Sequence, residues 1–335
     1  MDNNREYWID AVRSFACLCV IMTHAAIPNG SDGQYMVAIY NYLAVGGASI
    51  LFFMISGALI LNKERDTIPF MKKRVTRIVF PMVFWSLFFI GVKYLQGNFT
   101  AQEALGKVMR IPFGPQVGVY WFIYVIFGIY MLTPILSVWL NRCSKKDLEI
   151  YLIIWGITLL LPYLKILDTR FMYLISYVGG YLYYFYGFIG FALLGHYLRR
   201  YVNITTDQRK YFYLFISIVA ILPIVLYAMA VPHGVVQDRL SVNVVLLAIC
   251  YFVILKHIHY SPKWSARFYD FAQHTFGIYL VHFYLMRDIV WSWFEPFNIH
   301  YALQIPLIVL VTASLSYLIV HAISKLPYSK YIVGL

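Results

Sequence analysis

Long apolar stretches alternate with short polar ones from one end of the chain to the other. Ten of the apolar stretches approach the ~20 residues that a helix needs to cross a ~30 Å hydrocarbon core. They predict helices over residues 8–28, 38–61, 76–96, 119–140, 148–164, 178–198, 211–231, 239–257, 272–294 and 302–324. The expected fold is an all-α integral membrane protein of about ten transmembrane helices, with residues 1–335 forming one domain. No soluble domain, long linker or convincing internal repeat breaks the series. Lack of a visible inverted repeat disfavours a secondary transporter. The first stretch is full length and has no small-residue cleavage site, so no cleavable signal peptide is expected.

Composition supports this pattern. Hydrophobic residues make up 61% of the chain and charged residues 13%, against about 25% charged in a soluble domain. The net charge is +12, which in a soluble protein would raise nucleic-acid binding. Its distribution gives a different explanation. Of the 27 Lys and Arg residues, nineteen fall on one side of the predicted spans. Five (Lys107, Arg110, Lys165, Arg170 and Arg239) fall on the other, and Arg13, Lys93 and Arg287 lie inside spans. Basic residues are retained on the cytoplasmic side of membrane proteins, so both termini are expected in the cytoplasm. No basic patch with interleaved aromatics occurs in a soluble domain, which argues against a nucleic-acid partner. Trp8, Tyr120, Trp121, Trp291 and Trp293 lie near span ends, as in interfacial aromatic belts. The four cysteines, Cys17, Cys19, Cys143 and Cys250, have neither metal-ligand nor disulfide spacing. No metal is expected.

Ionisable groups inside spans cost ~2.5–3.5 kcal/mol each on insertion scales and therefore invite a functional reading. The first helix holds the densest set. Arg13 and His24 are eleven residues apart, about three turns, which puts them on one helix face ~16 Å apart along the axis. Asp10 lies one turn before Arg13 and is placed to pair with it. Arg13 alone also reads as a residue that snorkels to the headgroups, and His24 alone as a satisfied polar group. As a functional residue, His24 is suited to general-base chemistry near neutral pH. Lys73, Arg74 and Arg77 form a second basic set. Arg74 and Arg77 share a face if helical, and Arg forks bind phosphates bidentately; the plain alternative is a positive-inside anchor. His282 is central in the ninth span, with Arg287 and Asp288 beyond it. Gly46, Gly47 and Gly57 are read as sites of close helix packing. Ser14, Thr23 and Ser56 are too ordinary to nominate as nucleophiles.

Five motifs occur in order. They are Arg13-x10-His24, Phe52-Phe-Met-Ile-Ser56-Gly57, Arg74-x-x-Arg77-Ile-x-x-Pro81, Tyr120-Trp121-Phe122-Ile leading to Leu132-Thr-Pro134, and Phe276-Gly277-Ile-Tyr-Leu-Val-His282. Together they resemble the acyltransferase 3 family of bacterial membrane acyltransferases. Length and the lack of an added esterase-like domain are most similar to the branch of the enterobacterial common antigen O-acetyltransferase and the intercellular-adhesin succinyltransferase. The resemblance implies a multi-pass protein of the bacterial plasma membrane. It implies transfer of an acyl group, acetyl first among the candidates, from cytoplasmic acyl-CoA to a hydroxyl of an extracytoplasmic, lipid-linked or polymeric glycan.

The residues suit that chemistry. CoA phosphates would rest on Arg74, Arg77 and Lys73, the pantetheine arm would run along the first helix, and His24 would deprotonate the incoming hydroxyl. Arg13 would hold the donor or order the channel. Asp10, Ser56, Trp121 and His282 are further candidate site residues. A polysaccharide exporter or flippase is the alternative, and a non-catalytic subunit of a polysaccharide synthase a third reading; neither would lose its role with acyl transfer.

The charge bias makes a direct prediction. Topology reporters fused after Leu335 and inserted within residues 28–37 will report opposite sides of the membrane. The same side for both would refute the orientation.

Overall fold

The computed structural model describes residues 6–26, 34–166, 187–297 and 299–335, all helix and connecting turn, with no strand among the described residues. The helices are α1 (Tyr7–Ala25), α2 (Gln34–Gly47), α3 (Ser49–Ile60), α4 (Thr67–Arg74), α5 (Phe80–Leu95), α6 (Ala101–Arg110), α7 (Trp121–Arg142), α8 (Lys145–Thr158), α9 (Ile189–Tyr201), α10 (Arg209–Ala228), α11 (His233–Val236), α12 (Val242–His257), α13 (Pro262–Leu285), α14 (Trp291–Phe294) and α15 (Tyr301–Ser324). Among the described residues, seven helical stretches are long and apolar enough to cross a membrane. Three other expected spans differ from these. α12 is apolar but has 16 residues. α13 carries Lys263, Arg267 and Asp270 in its first half and His274 just after, which lowers its apolar character. Of the expected 178–198 helix, α9 is described, and residues 178–186 lie outside the described residues.

Several boundaries move for identifiable reasons. The expected 38–61 helix is interrupted at Ala48, whose backbone leaves the helical region and starts α3 afresh. The expected 76–96 helix begins nine residues earlier, at Thr67, and runs through a π-helical turn over Val75–Val79 into α5. α13 likewise starts at Pro262, not at residue 272, because Ser261-Pro262 supplies a helix start with proline in the first turn. α6 was not anticipated. It is short and amphipathic, and Thr100 and Glu103 close a capping box at its start.

α1 is the central helix, packed against α2, α3, α12, α13 and α15. α8 and α10 lie at the periphery and expose Ile150, Ile153, Ile157, Ile218, Ile221 and Ile224. Apolar exposure along complete helices is what a lipid-facing surface requires, since every backbone polar group is satisfied within the helix.

α3 and α9 approach each other backbone to backbone. A β-carbon on Gly57 would lie 1.9 Å from the carbonyl oxygen of Ala192, and one on Gly195 would lie 1.9 Å from that of Met54. Gly47 faces Phe15 and Cys19 of α1 in the same manner, and Gly46 faces Leu247 of α12. The expectation that Gly46, Gly47 and Gly57 serve close packing is therefore met.

Basic residues at one end of the bundle close helix ends. Lys256 Nζ donates to the carbonyls of Leu198 (3.0 Å), Arg199 (3.0 Å) and Val202 (2.6 Å) and to Asn203 Oδ1 (3.0 Å). Arg65 donates to the carbonyls of Ile60 and Leu59 at the end of α3, and Arg199 donates to that of Ala58 while pairing with Glu6. These are the orphan carbonyls of helix C-termini, satisfied by cations. This is the basic end of the bundle, and the far end lies opposite. At the far end Lys93, placed inside a span by the sequence, pairs with Asp288 at 2.9 Å.

Packing at Gly57 makes a prediction. Gly57→Ala will lower the thermal stability of the purified protein by about 1–3 kcal/mol or more, because backbone blocks the new methyl. Gly156→Ala, which meets nothing within 4 Å, will leave stability unchanged or raise it by about 0.5–1 kcal/mol. Equal melting temperatures for the two variants would refute the close-packing account.

Candidate active site

Arg13, Val20 and His24 lie along one face of α1, separated by seven and four residues, close to whole numbers of turns. Arg13 and Val20 line a cavity of about 480 Å³ whose other walls come from α3, α4, the π turn, α7 and α13. The structure thus brings Arg13, Arg74, Arg77 and Ser56 together around one space at the basic end. Lys73 is exposed on α4 and does not line it. Asp10 is buried one turn below Arg13, outside the lining, where its carbonyl accepts from Ser14 Oγ at 2.9 Å.

Arg74 is held by aromatic faces. Its guanidinium lies 5.0 Å from the Phe70 ring centre and 4.8 Å from that of Tyr130, and its buried Nε has no hydrogen-bond partner. Tyr130 in turn shares a hydrogen bond of 3.3 Å with Ser56 Oγ. Arg65 covers the same Phe70 ring at 5.7 Å. Burial, then the neighbouring Arg74 charge, holds the Arg65 guanidinium below its usual pKa. Like charges gathered this closely favour an anion between them. Arg77 sits in the π turn, and π turns recur at functional positions.

Residues Gly334 and Leu335 also line the cavity. The segment after α15 folds back under the bundle. Trp85 Nε1 donates to the Ile332 carbonyl (2.9 Å), Val333 is fully buried, and Gly334 has φ of +78° with a β-carbon position 2.5 Å from the Arg77 carbonyl oxygen. Only glycine fits both that dihedral and that approach.

Phe122 and Tyr279 line the cavity and meet edge to face, 5.6 Å between ring centres. His24 does not line the cavity. It lies beyond Val20, half-buried, its ring centre 5.5 Å from that of His282 and 5.4 Å from that of Phe283. Tyr279, 5.8 Å from His282, stands between the cavity and this histidine pair.

The Tyr120-Trp121-Phe122 motif fixes this region. Tyr120, fully buried, donates its hydroxyl to the Leu280 carbonyl at 2.7 Å, and Tyr279 donates back to the Val119 carbonyl. The two bonds tie the start of α7 to α13 in the turn just before His282. His282 is fully buried, with Nδ1 2.7 Å from the Tyr279 carbonyl. A carbonyl only accepts, so Nδ1 carries the hydrogen. Nε2 of the neutral ring is then a bare lone pair, and it has no partner.

Sequence reasoning missed Arg239, which it counted as a loop cation. Its guanidinium lies 4.9 Å from the Trp121 ring centre, and its buried Nε has no hydrogen-bond partner. The charges of Arg239 and Arg287 both act on His24. No local pattern marks Arg239 in the sequence, because its neighbours are supplied by α1, α7 and α13. The Leu132-Thr-Pro134 motif also acquires a physical basis. Pro134 has no N–H for the Tyr130 carbonyl, and Thr133 Oγ1 bonds the Ile129 carbonyl at 3.0 Å.

Eight buried side-chain polar atoms among the described residues lack a hydrogen-bond partner. Four of them surround this region: Ser49 Oγ and Arg74 Nε on the cavity, Arg239 Nε and His282 Nε2 beyond it. Buried polar atoms are seldom left unsatisfied in native folds, so their concentration here marks a place for a polar ligand.

No curated protein and no solved structure matches the chain. The family model for the acyltransferase domain of the acyltransferase 3 family matches residues 6–321, nearly the full length. The chain, a multi-pass membrane protein by its apolar helices, therefore belongs to this family of acyltransferases.

Proposed function

We propose that this membrane acyltransferase moves an acyl group, acetyl first among the candidates, from cytoplasmic acyl-CoA to a hydroxyl of an extracytoplasmic polysaccharide or glycolipid. The observation that carries the reading is the α1 face: Arg13 lines a cavity shared with Arg74 and Arg77, and His24 lies on the same face three turns further on. A long anionic donor fits that layout. Its phosphates sit on the Arg74 and Arg77 guanidiniums, and its pantetheine arm follows α1 past Arg13 over the ~16 Å rise to His24. The Phe122–Tyr279 contact yields to let the thioester pass.

At the far end His24 takes the proton of the acceptor hydroxyl, and the bare Nε2 of His282 holds the resulting imidazolium. Transfer is direct from thioester to hydroxyl. The basic end faces the cytoplasm of a bacterial plasma membrane, with both termini there. Ten spans then comprise the seven apolar stretches together with α9, α12 and α13, all in one domain over residues 1–335. We read its layout as similar to the branch of O-acetyltransferases and succinyltransferases that act on surface glycans. Family membership disfavours an exporter or flippase, which would consume no acyl-CoA.

Two measurements test the reading on protein purified in detergent. Exchanging Arg74 and Arg77 together for Gln will weaken acetyl-CoA binding at least about tenfold, equivalent to 1.4 kcal/mol; unchanged affinity would return both residues to the anchor reading. His24→Ala will lower the transfer rate about 10²–10⁴-fold, the usual worth of a general base, while acetyl-CoA still binds. A correctly inserted His24→Ala protein that transfers at the wild-type rate would make His24 structural.

A further inference from the structure

The far end of the site holds a cation that the reading above leaves without a task. Arg239 lies in the short connection between α11 and α12 and is drawn in over the indole of Trp121, 4.9 Å from its centre. Its Nε is buried with no partner. The adjoining Asp238 and the Tyr279 hydroxyl lie within electrostatic range of it, and its own charge reaches His24. Two other cations of this end are placed differently. Arg287 is exposed and covers Phe283 at 5.7 Å, and Lys93 is paired with Asp288. Arg239 is therefore half-buried, with a buried and uncommitted Nε–H at the same end of the site as the proposed base.

We infer that Arg239 stabilises the oxyanion that forms on the thioester carbonyl during acyl transfer. The inference rests on the acyl-transfer reading with His24 as base. As His24 removes the proton, the acceptor oxygen bonds the carbonyl carbon, and the π pair of the C=O bond moves onto oxygen. That oxygen now carries a full negative charge in a site walled by Trp121, Tyr279 and Phe283. A fixed guanidinium N–H aimed where charge develops is worth far more there than in water, and it needs no reorganisation during the reaction. When the carbonyl re-forms, the carbon–sulfur bond breaks, and the CoA thiolate takes the proton back from His24. The scheme separates the roles of two unpartnered atoms: His282 Nε2 accepts, Arg239 Nε donates. Trp121 acts as a positioning residue, since its ring face holds the guanidinium in place without consuming its donors.

The test uses the full-length enzyme in detergent, radiolabelled acetyl-CoA as donor and the surface glycan of a deletion strain as acceptor. Arg239→Gln is expected to lower kcat about 10²–10³-fold, as for loss of an oxyanion donor. KM for both substrates should change less than about threefold, because the interaction is made in the transition state alone. Arg239→Lys should recover little, since Lys lacks the planar fork. Added guanidinium ion should restore part of the rate to Arg239→Ala, which a purely structural role does not allow. Wild-type kcat in an Arg239→Gln protein with wild-type thermal stability overturns the inference. So does a loss confined to KM of the glycan, which makes Arg239 an acceptor-binding group. His24→Ala measured alongside separates the two proposals. An inactive His24→Ala with a wild-type Arg239→Gln removes only the oxyanion role, whereas an active His24→Ala removes the base on which it rests.

Discussion

The carbonyl of Ala192 lies where a β-carbon on Gly57 would sit, and the carbonyl of Met54 does the same at Gly195. Two backbones in this contact leave no freedom in the placement of α3 relative to α9. In a bilayer, lipid is as apolar as leucine, so helices associate through such close packing rather than through water exclusion. α3 is gripped on that side by α9 and on another by α1. The residue before Gly57 is Ser56, and α3 thereby delivers Ser49, Phe52 and Ser56 to the cavity wall at a fixed height. The same helix backs the aromatic cluster of Phe53 with Phe122 and Phe191, 4.8 and 6.5 Å between ring centres, which seats the start of α7. The position of the Tyr120-Trp121-Phe122 segment, and with it of His282, follows from that packing.

The cations of the basic end divide by what they meet. Lys256, Arg65 and Arg199 meet helix-terminal carbonyls and are structural even where they also serve as topology signals. Arg13, Arg74 and Arg77 meet the cavity. Arg74 is retained by aromatic faces rather than by a carboxylate. A carboxylate would neutralise it, whereas an aromatic ring holds the charge and leaves it available to an anion.

The helical membrane class was legible because its signal is local: a run of ~20 apolar residues is read within one window. The shared face of Arg13 and His24 was legible for the same reason, since helical periodicity needs no tertiary knowledge. Lys73 was grouped with Arg74 and Arg77 from sequence adjacency, yet it lies exposed on α4 away from the cavity. A helix turns each successive residue by ~100°, so neighbours in sequence point apart. Arg239 was illegible because the partners that give it meaning are Trp121, more than a hundred positions away in the chain, and His24, further still. α6 escaped notice because it is amphipathic and short, below the length that an apolar-run reading detects. The polar start of α13 escaped for a related reason. Asp270, His274, Tyr317 and His321 satisfy one another across α13 and α15, so a stretch too polar to stand alone in lipid is tolerated between helices.

The π turn at Val75–Val79 contains one residue more than the α-helical path it replaces. The wide turn absorbs that residue, so α4 and α5 keep the facing they would have in a regular helix one residue shorter. Rewinding Val75–Val79 as α-helix with the residue retained would instead rotate everything on the near side by ~100° about the helix axis and displace it by ~1.5 Å. Arg74 would then swing off Tyr130, and Phe70 would leave its place beneath Arg65. The angular register between the membrane-crossing helix and the cavity floor thus depends on the wide turn holding its shape, so a substitution that straightens it can disarm the donor site in a chain that still inserts and folds.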